Sequence, residues 1–428
     1  MTEYLVTAGL ILPTASAEPI VDGAILVRDG VIDAVGAASD VTPHAGPAAV
    51  RWDFPSGTVL PGLIDCHVHL VFDASDDAVA ALRAVDDRSL LLQMAGRARQ
   101  LLNAGVTSVR DLGDRANLAV PVRDAIAAGV LPGPRILAAG SPLTVTGGHC
   151  WYLGGQADGE DQIRSVLRGN LQRGADLIKV MVTGGTITPA GPARWQQQFS
   201  TRDVALIVAE AHRFGRRVAA HVHGVSGIQA AVAAGVDTLE HSTFASEEGF
   251  ATGPPEQRDE LIDQIAASGI FVCPTLSGAI GERLTLIGGG VVRRLLDLVG
   301  QQHARGVRLI VGTDAGIPGV RFDRYPEALV WYAKAGLSPV AVLDAATVTA
   351  AQALGIADRT GQLAAGLSAD LVVVGGDPRV DLGVLSRPNL VLAAGRPHVP
   401  DPVAPLPRST IPAVARPIRA GASGWRVV

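Results

Sequence analysis

Lysine is almost absent from this chain. Its 428 residues include 36 lysines and arginines together, and only Lys179 and Lys334 are lysine. One of the two sits where a charged amine is most costly, in the middle of the apolar run GADLIKVMVTGG, residues 174–185. A buried lysine can lose its proton and act as a nucleophilic amine, whereas arginine stays charged. What a neutral amine would do in a strand interior is therefore the first question.

Other scarcities narrow the field. There are three cysteines, Cys66, Cys150 and Cys273, scattered and without CxxC spacing. That argues against a disulfide framework or zinc finger and suits a reducing compartment, so the expected location is the cytoplasm. No apolar run reaches the roughly 18–20 residues needed to span a bilayer. The N-terminal stretch lacks a basic region and carries Glu3, so it reads as a strand and not a signal peptide. The net charge of −5, with acids and bases interspersed, gives no reason to expect nucleic-acid or membrane partners. What is abundant, 48% apolar residues and 50 glycines, suits a packed, loop-rich α/β enzyme.

Residues 1–58 read as short strands, with RDG marking a hairpin. From 59 to 358 short apolar strands alternate with helices, many ending in glycine before the next strand. The eight strand candidates are GLIDCHVHL, VTSVRDLG, RILAAG, DLIKVMVTG, RVAAHVHG, TLEHSTF, FVCPTLS and LIVGTDAG. Their rhythm predicts an α/β fold, a (β/α)8 TIM barrel. Strand texture returns over 359–400, so both chain ends are expected to form one small β-sandwich domain. Residues 401–428 read as a Pro/Arg-rich tail, conceivable as an arm on a neighbour in a homo-oligomer, though no interface is legible.

Catalysis in such barrels belongs at the strand ends. His67, His69, Lys179, His221, His223, His241 and Asp314 all fall there. In an extended strand residues two apart share a face, so the pairs 67/69 and 221/223 each point one way. A single strand-end histidine is ordinarily a hydrogen-bonded core residue, and one HxH is weak. Their joint placement favours a metal site for zinc or a neighbouring first-row ion. Even four of these imidazoles and the carboxylate exceed one tetrahedral site, so two divalent ions are expected, and two ions need an anionic bridge. A neutral lysine amine adds CO2 to give a carbamate with one oxygen for each ion, which answers the question raised by Lys179. His44, His212, His303 and His398 fall on helices or outer loops and read as structural.

At GLIDCHVHL, LIKVMVTGG, AAHVHG, LEHSTF and VGTDAG the chain resembles the amidohydrolase superfamily. It is most similar to the binuclear imidazolonepropionase-like branch, with prolidase-type metallo-dipeptidases and ochratoxin-degrading amidases. The resemblance implies His67 and His69 on one metal with Asp314, His221 and His241 on the other, and carboxylated Lys179 between them. The expected activity is hydrolysis of an amide in a small N-acyl amino acid, dipeptide or short peptide through a metal-bridging hydroxide. Asp314 would move the proton, His223 would face the carbonyl oxygen or a substrate carboxylate, and His149 would touch substrate or support the loop. Tyr152, Arg194, Trp195 and Arg321 are wall candidates. Alternatives are processing of a ribosomal peptide precursor, as in bottromycin-type pathways, deamination of an aminated heterocycle, or a metal-free scaffold on the same fold.

Overall fold

The computed structural model describes residues 2–188, 190–252, 255–281 and 288–401. Apart from Asp401, the stretch read as a Pro/Arg-rich tail lies outside the described residues.

Both chain ends build one sheet. Strands β1 (Glu3–Ile11), β2 (Ile20–Arg28), β3 (Val31–Ala37) and β4 (Val50–Pro61) come from the N-terminal side. From the C-terminal side come three more, which stand last among the fifteen strands of the described residues: β13 (Leu371–Val374), β14 (Leu390–Ala393) and β15 (Arg396–His398). Their order is β15-β14-β13-β4-β1-β2-β3, a single seven-stranded sheet where a two-sheet sandwich was expected. The RDG signal holds: β2 and β3 are joined through Asp29 and Gly30, both with positive φ, as a tight hairpin turn requires. Period-two alternation divides the sheet between two cores. Leu371, Val373, Leu390 and Leu392 pack with Val6, Ile25 and Val59. Their neighbours Val372, Val374 and Val391 face the large α/β core.

That α/β body is TIM-barrel-like. Eight parallel strands follow β4, at the eight segments marked in the sequence. Three form one sheet in the order β5 (Leu63–Val68), β6 (Val106–Asp111), β7 (Arg135–Ala138). Five form another, ordered β12 (Arg308–Leu309), β11 (Phe271–Cys273), β10 (Thr238–Ala245), β9 (Val218–Gly224), β8 (Ile178–Met181). Backbone hydrogen bonds continue across both gaps between the sheets. Leu143 N–H donates to Lys179 O (2.9 Å) and Met181 N–H to Leu143 O (2.8 Å) on one side. On the other, Cys66 N–H donates to Val311 O (2.9 Å) and Asp314 N–H to His67 O (2.8 Å). Helices pack outside, and no helix among the described residues is long and apolar enough to cross a membrane.

Candidate metal centre

The histidines meet at one mouth of the strands. His67 on β5 and His69 just beyond it each bring Nε2 to 3.4 Å from Asp314 Oδ1. Asp314 can stand there because the segment after β12 runs tightly against β5. A Cβ on Gly312 would lie 2.5 Å from Cys273 Sγ and 2.8 Å from His67 Cβ, so only glycine permits the approach. His221, His223 and His241 form a second group, and in each group the potential ligand atoms lie within 4.8 Å of one another. His241 stands between the groups, with ring centroids 4.6 Å from His221 and 5.2 Å from His67.

Backbone irregularity aims these side chains. The β9–β10 register shifts between His241 and Ala245, the kind of bulge that re-aims a side chain beside a site. His241, Ser242, Thr275 and Asp314 all have φ between 46° and 67°. Non-glycine residues in that region cost about 1–3 kcal/mol each, so the surrounding packing must hold them there.

Hydrogen bonds orient the rings. His67 Nδ1 lies 2.8 Å from Glu240 Oε2 and His69 Nδ1 lies 3.0 Å from Gly113 O. A carboxylate and a carbonyl only accept, so both Nδ1 atoms donate and both Nε2 lone pairs face Asp314. His221 uses Nε2 on Gly184 O (3.0 Å), which leaves its Nδ1 lone pair free. His223 and His241 pair through Nδ1 with Thr243 (2.9 Å) and Thr275 (2.8 Å). Burial, assisted by the Lys179 charge, pulls His67 down to about 4. Burial chiefly, with His149 next, pulls His223 down to about 3. Neutral imidazoles are the form that binds metal. Burial would raise Asp314, and only protonated His67 and His69 would hold it below the ordinary carboxylate range, a pull that the neutral rings do not exert.

Lys179 on β8 lines the same cavity, 1% exposed, and its Nζ has no hydrogen-bond partner among the described residues. Burial brings its amine down to about 8 against the opposing pull of Glu240 and Asp314. An orphaned buried amine in a cavity lined by two groups of ligand atoms suits a modified lysine that would share its new oxygens with two cations. A third grouping, His67, Glu240 and Cys273, is sterically possible. It fits a metal poorly, because Glu240 is already committed: Arg110 donates to its Oε1 at 2.7 Å and Thr238 at 2.5 Å.

The cavity has a volume of about 460 Å³. His149 lines it, buried, with Nδ1 2.9 Å from Thr188 Oγ1 and its ring 4.6 Å from that of His221. Arg194 lines it too, its guanidinium 4.2 Å over the Phe250 ring. The other three wall candidates sit elsewhere. Tyr152 is behind the wall, its hydroxyl directed to Ile187 O (3.4 Å). Trp195 is half-buried and presses its backbone on Gly224. Arg321 is exposed and drawn to Asp323 (Nε–Oδ1 3.0 Å). Glu240, Arg110, Thr243, Thr275 and Phe250 were not singled out from the sequence. Glu240 left a trace there, as a charged residue inside the apolar strand just before His241.

Known proteins resemble this chain along most of its length. Residues 58–399 match the model of the amidohydrolase family. Ochratoxinase from Aspergillus niger is 30% identical over 421 residues, covering 90% of this chain and 84% of the relative. Imidazolonepropionase from Mesorhizobium japonicum is 28% identical, covering 82% of this chain and 86% of that one. Among solved structures, a Xaa-Pro dipeptidase with bound methionine superposes with a TM-score of 0.81 at 27% identity, over 93% of this chain and all of that one.

Proposed function

The chain belongs to the amidohydrolase family and is an enzyme that hydrolyses C–N bonds; from that premise we propose a binuclear, metal-dependent hydrolase of the amide bond in small N-acyl amino acids, dipeptides or short peptides. The observation that carries this reading is the partnerless, buried amine of Lys179 beside two groups of ligand atoms. His67, His69 and Asp314 would hold one divalent ion, His221 and His241 the other, with zinc the natural choice for these donors. Neutral Lys179 Nζ would attack CO2, form an N–C bond and release a proton, and the resulting carbamate would supply the anion that two cations need. When bound, the two ions supply an acidified water and polarise the scissile carbonyl.

The remaining steps fall to side chains. Asp314 takes the proton of the attacking water and gives it to the leaving nitrogen, which departs as the amine. His223, its ring stacked on His241 at 4.7 Å, is placed to donate to the carbonyl oxygen or hold a substrate carboxylate. His149 contacts substrate from the loop after β7. Arg194 supplies the cation that an α-carboxylate needs. In this reading the eight strands close as a (β/α)8 barrel, with residues 1–58 and 359–400 as its small companion domain.

The test is metal analysis coupled to activity. Protein purified with zinc and bicarbonate should carry two ions per chain and cleave N-acyl amino acids or dipeptides. Chelation should abolish that activity, and zinc, cobalt or manganese should restore it. Labelled bicarbonate should give a carbamate carbon resonance that Lys179→Ala lacks. Ammonia release from heterocycles without amide cleavage would replace this reading with deamination.

A further inference from the structure

The cavity lining changes in chemistry around the mouth. On the side of β8 and β10, Arg194 lies over Phe250 and has no carboxylate partner among the described residues. Beside Phe250, following the strand order β10-β11-β12, the segments after β11 and β12 and the helix Gly289–Ala304 present Leu276, Ile280, Leu298, Ile317 and Val320. Among the described residues lining the cavity there is one carboxylate, Asp314, and it is engaged with His67 and His69. Among the described residues, one stretch of the lining thus offers an unneutralised cation, the next offers hydrocarbon, and neither offers a free anion.

We infer that the cavity selects acylated amino acids without a free α-amino group, the carboxylate of the amine half on Arg194 and a bulky apolar acyl half on the wall after β11 and β12. This rests on the amide-hydrolase reading and narrows it, because an ordinary dipeptide carries an ammonium in its acyl half. Here that ammonium would be desolvated against leucine and isoleucine with no carboxylate to meet it. Sites that leave a buried polar group unpaired discriminate strongly, whereas an extra methylene changes little. The carboxylate end follows the same logic in reverse: Arg194 is partly desolvated, stays charged, and gains most from a planar anion it can grip with two donors.

The experiment uses the zinc-loaded full chain and a matched pair, Leu-Phe and its des-amino counterpart 4-methylpentanoyl-Phe, with the carboxamide of the latter as third compound. The acyl compound should exceed the dipeptide in kcat/KM by about tenfold or more, and the carboxamide should lose a similar factor. Arg194→Gln should erase the difference between carboxylate and carboxamide, mainly through KM, and Arg194→Lys should restore part of it. Leu298→Asp or Ile317→Asp should shift preference toward the dipeptide. Equal or faster cleavage of Leu-Phe by the wild type overturns the inference. Should neither compound be cleaved, calorimetry with the same pair decides. Tighter binding of the acyl compound upholds the selectivity while sinking the hydrolase reading, and equal, reversed or undetectable affinity overturns it.

Discussion

Glu240 accepts the Nδ1 proton of His67 at 2.8 Å and thereby commits the opposite nitrogen of that ring to Asp314. Glu240 is fully buried and Arg110, 3% exposed, is its counter-charge. Three strands, β5, β6 and β10, thus agree on the tautomer of one histidine. Partners of this kind behind a metal ligand are worth about 10–100-fold in affinity.

Glu240→Gln should therefore do two separable things. It leaves the Arg110 guanidinium buried without its anion, costing about 3–5 kcal/mol of stability, and it loosens the His67 ring. Urea unfolding reads the first effect and zinc competition against a chromophoric chelator reads the second. Adding Arg110→Met should recover much of the stability and little of the zinc affinity. Recovery of both together would mean that the network serves packing alone.

Lys179→Ala should lower bound metal below two ions per chain and reduce activity by more than the roughly 100-fold ceiling of an outer partner. A short carboxylate such as propionate supplied in the buffer fits the space vacated and should restore part of both. Lys179→Arg offers no carbamate and keeps a charge in a site 1% exposed, so it should be the worse variant, with no rescue. Metal content by mass spectrometry and initial rates check each statement.

Gly312→Ala tests the closeness of the segment after β12 to β5. The new methyl would meet Cys273 Sγ at 2.5 Å and His67 Cβ at 2.8 Å, and neither atom is the free end of a flexible side chain. Overpacking of this kind costs about 1–3 kcal/mol. Because one of the two atoms belongs to His67, a proposed ligand, zinc affinity should fall with the melting temperature. Cys273→Ala in the same chain should relieve the stability loss more than the affinity loss.

The clustering of the candidate ligands was legible because strand geometry is simple. Alternation puts His67 with His69 and His221 with His223, and a lysine inside DLIKVMVTG has few ordinary explanations. The positions of the eight strands followed from glycine-terminated helices. What was not legible depends on where separate strands meet. Glu240 could be noticed as a charge inside LEHSTF, yet its partners Arg110 and His67 are 130 and 173 residues away. The shift of register beyond His241 and the positive φ of Asp314 have no residue signature, since neither position is glycine. Arg194 and Arg321 looked alike as loop arginines, and Asp323, two residues along, settles which one is occupied. The strand texture of the terminal sheet was visible, with β14 and β15 undivided inside PNLVLAAGRPHV, but whether it makes one sheet or two is decided by β4. It pairs with β1 along one edge and with β13 along the other.

Stability measured against free zinc counts the ions without reference to any substrate. A ligand that binds only the folded state adds RT ln(1 + [L]/Kd), so above its Kd each site contributes about 1.4 kcal/mol per tenfold rise in free ion. Two sites should give a slope of about 2.7 kcal/mol per decade in buffered zinc with bicarbonate present. Asp314→Asn removes the carboxylate shared by His67 and His69 at 3.4 Å and should halve that slope, leaving the group of His221, His223 and His241 as it was. His241→Ala should do the reverse, sparing the first group. Excluding bicarbonate from the wild type should weaken both sites together, because the anion that joins them is then missing. A wild-type slope near 1.4 kcal/mol per decade, unchanged by bicarbonate, would establish one ion and leave Lys179 an ordinary amine.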